Sequence, residues 1–297
     1  MKKKPLVFGI GQCSLDYLGL IDEYPAPDIK CECSNLVVQG GGPAATALVA
    51  LKRWGCDCCL AGVVGDDDFG GRILSSLDEE GIDRNGVLVR KGRSSQFAFI
   101  VSERSRPRRT IFWRRPTGNP LQSGEVNLER LASSSALHTD GLFIEASLTA
   151  AESAKRAGIP VIVDAGTLRN GMLELAVLSD CFVTSEDFSK ALGGTPEETC
   201  RILADLGVRL AGVTLGSNGS IVLYEGRFIR KAAFTVEVVD TTGCGDVFHA
   251  ALTYSILKGW DIEKTLDFAG WAAAMTATRL GGRSGIPTAL DIEARFP

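Results

Sequence analysis

From Leu128 onward, short apolar runs alternate with helical stretches over roughly 150 residues. The runs are Ala136–His138, Val161–Val163, Cys181–Val183 and Ala211–Leu215, and Ser147–Ala157 is one of the helical stretches. A parallel strand is reached only through a crossover, usually a helix. This alternation therefore predicts a mostly parallel sheet with helices on both faces. Ligands of such sheets bind beyond the carboxyl ends of the strands. Asp140 and Asp164 each follow a strand and fall on that edge.

The last crossover carries the chemistry. A strand-like run, Phe234–Val239, leads into Asp240-Thr241-Thr242-Gly243-Cys244-Gly245-Asp246, and a long apolar helical pattern leaves it. Glycines let a backbone approach a ligand without a Cβ in the way. A helix start offers unpaired N–H groups and the positive end of the dipole. Together they form an anion site, and phosphate is the usual anion. Asp246 would repel a bound phosphate, so it is a poor phosphate ligand. It is well placed to take the proton from a hydroxyl that attacks phosphorus. The plainer role, capping the helix, does not require two flanking glycines.

Other segments supply turns and ligand-edge residues. Gly9-Ile10-Gly11 echoes a dinucleotide fingerprint but lacks the third glycine and a following helix. Asp16 follows this first strand, where a lone Asp is most often a turn residue and otherwise falls on the ligand edge. Gly40-Gly41-Gly42-Pro43 opens a helix to about Trp54, with Thr46 in its first turns. Leu60–Val64 reads as a strand, then Asp67 and Asp68 favour the start of a helix at about Gly71–Glu80. Phe97–Val101 alternates as a half-exposed strand does. Six arginines lie between Arg104 and Arg115, around an apolar tip of Ile111, Phe112 and Trp113. A solvated hairpin and a basic face for an anionic group both fit. Thr214-Leu215-Gly216-Ser217-Asn218-Gly219 is a strand-end turn. Helices are expected at Ala250–Lys258, ended by Gly259, and at about Ile262–Arg279, before a glycine-rich close at Gly281–Pro287.

Composition narrows the classes. A net charge of −4 gives no basic footprint for nucleic acid. No apolar stretch reaches the ~20 residues of a membrane span. Met1–Lys4 followed by Pro5–Ile10 faintly resembles a leader but reads better as a buried first strand, which implies the cytoplasm. Nine cysteines, an odd number, argue against a disulfide framework. Cys31-x-Cys33 and Cys56-Asp57-Cys58-Cys59 raise a metal site, but buried thiols acting as small hydrophobes explain them as well.

Asp240–Asp246 resembles the DTxGAGD signature of the PfkB (ribokinase-like) carbohydrate kinases, with Cys244 at the usual Ala. The resemblance spans nearly the whole chain and is greatest to the ketohexokinase and sulfofructose-kinase branch. It implies a single ribokinase-like α/β domain over 1–297, with a central mostly parallel sheet flanked by helices and a small β-sheet lid from about 15–39 and 94–115. It implies ATP and Mg²⁺ as cofactors, a small-molecule sugar as acceptor, and no nucleic-acid or membrane partner. Asp246 is then the base, and Gly243, Cys244 and Gly245 form the anion hole. Asp16, Gly41, Gly42 and Thr46 take the sugar, Thr46 standing where the family has Asn. Ser185, Thr214, Gly216, Gly219, Thr242, Gly243, Gly245 and Gly282 border the nucleotide. The family's Asn-x-x-Glu segment is replaced at Ser185–Phe188, which leaves the metal ligands open, with Glu186 or Asp187 as substitutes through water. The family also implies a homodimer clasped through its lids. A nucleoside kinase and a non-catalytic binding protein of the same fold are the competing readings.

Overall fold

Leu6–Ile10 (β1) are five consecutive buried residues, as a central parallel strand requires. The computed structural model describes residues 4–106 and 108–297. Met1–Lys3 of the leader-like stretch and Pro107 of the arginine-rich segment lie outside the described residues. The other strands are β2 Ser14–Ile21, β3 Asn35–Gly41, β4 Asp57–Gly65, β5 Asp83–Arg90, β6 Phe97–Glu103, β7 Arg108–Arg114, β8 Ala136–Thr139, β9 Val161–Ala165, β10 Cys181–Ser185, β11 Leu210–Thr214, β12 Ser220–Tyr224 and β13 Arg227–Lys231. The helices are α1 Pro43–Arg53, α2 Asp68–Glu79, α3 Leu128–Ala132, α4 Ile144–Arg156, α5 Met172–Val177, α6 Glu186–Leu192, α7 Pro196–Asp205, α8 Cys244–Lys258, α9 Ile262–Thr276 and α10 Ala289–Arg295.

Nine strands form one sheet in the order β13-β12-β11-β10-β9-β8-β1-β4-β5, parallel from β11 to β5 and antiparallel at β12 and β13. The chain leaves β1 towards β4 on one side and returns to β8 on the other. The strand order therefore switches between β1 and β8, and a crevice opens there at the carboxyl edge. One buried cluster, with Leu48, Phe248 and Phe268, packs α1, α8 and α9 on one face. Another, with Phe8, Phe143 and Phe182, packs α4 and α5 on the other. Trp54 at the end of α1 meets Phe268 of α9 at 5.2 Å and Tyr254 of α8 at 5.7 Å between ring centroids. Its Nε1 donates to Pro287 O at 2.9 Å. Each such aromatic pair contributes about 0.5–1.5 kcal/mol beyond its buried area, and together they hold α8 and α9 against the end of α1.

The second sheet, β3-β2-β6-β7, stands over that crevice as a lid. Strands β2 and β3 come from one stretch of the chain and β6 and β7 from another, with β3 running on to Gly41. Several sequence expectations change. Phe234–Val239 is not a strand, because β13 closes the sheet edge and leaves it no partner. Asp16 lies inside β2 of the lid, not in a turn. Because β2 follows β1 with no helix between them, the dinucleotide reading of Gly9–Gly11 is excluded. Helix α2 starts at Asp68, earlier than Gly71, because the Asp67 side chain caps it by accepting from Gly70 N. Helix α4 likewise starts at Ile144, and α8 at Cys244. Helix α9 stops at Thr276, short of Arg279, as Ala277 O turns to accept from Val239 N and Asp240 N.

Candidate active site

Gly243, at φ +77°, caps α8 and turns the chain from the extended approach into the helix. A Cβ there would lie 2.5 Å from Gly282 Cα and 2.7 Å from Gly282 O, so two backbones pass in contact. Asp240 fixes the loop from below. Its carboxylate accepts from Thr242 N, Thr242 Oγ1, Ser102 Oγ of the lid and Gly281 N, all within 2.9–3.1 Å. Among the described groups, this buried carboxylate ties lid, loop and glycine-rich tail together. Arg109, on β7, donates to Thr241 Oγ1 and so also closes the lid onto the loop.

Asp246 follows in the first turn of α8. Burial, with Asp164 next and then Asp16 and Asp140, pushes its carboxyl up to about 8, and Arg109 alone relieves it. Asp16 and Asp140 are each pushed up to about 6, chiefly by burial. The Asp140 carboxylate accepts from Gln12 N at 2.7 Å and Leu142 N at 3.0 Å, which pins the switch point between β1 and β8. Four carboxylates from four elements thus crowd one crevice, a pattern typical of functional sites.

On the lid, Asp16 pairs in register with Gln39, and Ser14 pairs with Gly41. Ser14 Oγ donates to Asp16 Oδ1 at 2.7 Å. A side chain at Gly41 would collide with the Asp16 carboxylate, so this glycine makes its room. Gly42 caps α1, and Thr46 N donates to Gly42 O at 2.8 Å. Asp16, Gly41 and Gly42 are therefore brought together, with Thr46 buried one turn into α1. Register also sorts the apolar tip. Ile111 and Trp113 share the Asp16 face of the lid, while Phe112 lies with Phe99 on the outer face.

A cavity of about 570 Å³ runs from the loop along α9. Thr214, Gly216, Gly219, Cys244 and Gly245 line it, and Gly282 stands behind Gly243 outside that lining. Phe234, Val236 and Val238 of the partnerless extended run also line it. Their alternation is real, but the surface they face is a cavity and not a neighbouring strand. Cys244 N leans back to Thr241 O at 3.4 Å, and burial pushes its thiol up to about 12. The Thr242 hydroxyl is spent on Asp240. Ser185 caps α6, accepting from Phe188 N and donating to Gly166 O, while Glu186 and Asp187 pair with Lys190. All nine cysteines are unpaired, and no group of three or more His, Cys, Asp or Glu side chains among the described residues is arranged to hold a metal.

The model of the family described as "pfkB family carbohydrate kinase" matches residues 4–289. This chain belongs to the pfkB family of carbohydrate kinases. The kinase is 26% identical to Fructokinase-1 of Oryza sativa subsp. japonica, over 98% of this chain and 97% of the rice protein. It is 28% identical to the ATP-dependent ribose-1-phosphate kinase of Halopiger xanaduensis, over 98% and 97%. A ribokinase crystal structure from Thermotoga maritima superposes with a TM-score of 0.80 at 25% identity, covering 98% of each chain. The kinase is a phosphotransferase with an alcohol group as acceptor, and its two sheets form the ribokinase-like fold.

Site residues not expected from the sequence are Arg109, Asp240 and the alanine face of α9. Asp240 had a signal, as the acidic residue that opens the motif. Arg109 had only its place in an arginine-rich hairpin.

Proposed function

We propose that this kinase transfers the γ-phosphoryl of ATP to a hydroxyl of a sugar or sugar derivative, with Asp246 as the general base. One observation carries the reading. Asp246 opens a helix whose first residues, Cys244 and Gly245, line the 570 Å³ cavity, while the charge of lid Asp16 acts on it from across the crevice. Nucleotide on one side and acceptor on the other would meet at that helix start. ATP lies in the cavity, with its adenine end against Phe234, Val236 and the α9 alanines. Its phosphates reach the N–H groups of Gly243 and Gly245, with Cys244 N–H joining once it releases Thr241 O. Preorganised donors of this kind each contribute on the order of 10²-fold. Mg²⁺ arriving with the nucleotide would shield its phosphate charge, an ion that needs few protein ligands. Glu186 and Asp187, exposed at the start of α6, pair with Lys190, and a role for either towards Mg²⁺ would run through water.

The acceptor lies under the lid. Asp16 accepts from sugar hydroxyls, the Gly41–Gly42 turn lets the ring come close, and Thr46 sits one turn behind. Trp113, on the Asp16 face and 49% exposed, carries the Arg115 guanidinium 4.7 Å over one side of its ring and leaves the other as a flat apolar surface. A sugar's C–H face suits it, and so does a nucleobase, which is the observation that favours the nucleoside reading. ADP formation measured across hexoses, ketoses, pentoses, phosphosugars and nucleosides separates the two. Turnover confined to nucleosides would replace the sugar.

The base must be ionised to accept a proton. A carboxyl raised to about 8 is mostly protonated at pH 6 and mostly ionised at pH 9. The expected kcat/KM therefore rises with pH and levels off beyond about 8, and a flat profile between about pH 6 and 9 would contradict the assignment.

A homodimer through the lids is part of the proposal. Leu36, Val38, Phe99 and Phe112 leave a contiguous outer lid face between 36% and 58% exposed, which a second lid would cover. Sedimentation of Phe112→Asp is expected to show monomer where the parent shows dimer. A cytoplasmic setting fits nine unpaired thiols. No described helix is long and apolar enough to cross a membrane.

A further inference from the structure

We propose that His249 is held as a buried imidazolium which, paired with Asp164, positions Asp246 and keeps Asp164 from suppressing its charge. His249 sits three residues after Asp246 on α8, so the two share a helix face. Its Nδ1 lies 2.7 Å from Gly245 O, and its Nε2 lies 3.0 Å from Val183 O of β10. Both partners are carbonyl oxygens, which only accept. A neutral imidazole carries one N–H and one lone pair. Either neutral tautomer would point a lone pair at a carbonyl oxygen within hydrogen-bond distance. Two acceptors require two N–H donors, and that is the imidazolium. Asp164 Oδ2 lies 3.4 Å from Nδ1, and the side chains are 3% and 10% exposed; burial pushes the Asp164 carboxyl up, and a charge on His249 pulls it back.

The chain's other histidine makes the contrast. Thr253 Oγ1 donates to His249 O at 3.0 Å, so it accepts from His138 Nδ1, also at 3.0 Å. His138 Nε2 has no partner among the described residues. Burial, and then the charge on His249, push His138 down to about 3, which keeps it neutral. The groups around His249 are thus His138 from β8, Asp164 from β9 and Asp246 on its own helix, with Asp140, just after β8, Asp16 and Arg109 acting on those carboxylates. None of the other groups bonds both ring nitrogens.

Two consequences follow for Asp246. The Gly245 carbonyl belongs to the peptide that precedes Asp246, so the Nδ1 contact fixes the plane on which the base is mounted. After burial, the Asp164 charge is what most opposes ionisation of Asp246. An imidazolium against Asp164 offsets that repulsion. His249 touches no reacting atom and is a positioning residue. This role rests on Asp246 being the base, but the charge state of His249 does not.

Nitrogen NMR of the whole protein, with its two histidines ¹⁵N-labelled, reads the charge state directly. The expected spectrum near pH 7.5 shows one imidazolium with both nitrogens protonated and one neutral ring. Two neutral rings would overturn the proposal, whether or not the protein phosphorylates sugars. The kinetic arm uses His249→Gln. Its kcat is expected to fall on the order of tenfold, with the rising limb of kcat/KM moved up by about one pH unit and KM for ATP little changed. Asp164→Asn combined with His249→Gln should bring that limb back down. A limb that stays in place would mean that His249 only packs. If His249→Gln fails to fold, the spectrum of the parent decides.

Discussion

Replacing Asp246 with asparagine lowers the rate of phosphoryl transfer by roughly 10²–10⁴-fold. The amide keeps the shape of the carboxylate but cannot take the hydroxyl proton. Nucleotide affinity is retained or improves, because a negative charge beside the phosphates is removed. The same variant carries a stability signature. Asp246 has its folded pKa raised from 3.8 to about 8, so the folded protein binds its proton more tightly than the unfolded chain. The stability this gives is complete below the unfolded value and is lost as pH rises through the folded one. Asparagine never ionises. The variant should therefore match the parent near pH 4 and exceed it near pH 9, by at least ~2 °C in Tm. A slower yet more stable enzyme is what a carboxylate kept for chemistry predicts. A variant that turns over at the parental rate would remove Asp246 as the base.

Alanine at Gly243 and alanine at Gly245 have opposite expected outcomes, although the glycines are separated by one residue. At Gly243 a side chain must adopt φ +77° and meet the Gly282 backbone at 2.5 Å. The conformation alone costs about 1–3 kcal/mol, and the contact forces the loop off the glycine-rich tail. Tm falls, and transfer drops by on the order of 10²-fold as the phosphate donors lose alignment. At Gly245 a Cβ meets no protein atom. The helix gains about 0.4–1 kcal/mol from alanine. The methyl points into open space beside the cavity that Gly245 lines, so KM for ATP rises while Tm holds or increases. Parallel thermal melts and ATP titrations of the two variants separate fold from binding. Equal losses of stability at both positions would mean that the loop is not seated on Gly282 as described.

The parallel sheet was legible because its strands are buried on both faces and read as continuous apolar runs, Val161–Val163 and Cys181–Val183 among them. The α8 start was legible because glycine, glycine and carboxylate lie within four residues. Features that depend on residues far apart were not. Asp240 joins Ser102, Thr242 and Gly281, and no local pattern announces that meeting. Asp16 admitted a turn reading because Ser14, Asp16 and Gly19 interrupt the apolar run of β2, although the strand is buried almost throughout. Phe234–Val238 carried a true strand periodicity, but tertiary context gave it a cavity to face. Ser185 stands at the place of a family ligand, yet its hydroxyl is used to start α6.

The central event is transfer of phosphorus from ATP to a sugar oxygen at the start of α8. Phosphorus NMR of the parent enzyme with ATP, Mg²⁺ and the best acceptor of the sugar panel observes it directly. The predicted spectrum shows a sugar phosphate monoester growing in step with ADP, and neither signal growing with Asp246→Asn. ADP accompanied only by inorganic phosphate, or a phosphate ester formed equally well by Asp246→Asn, would contradict it.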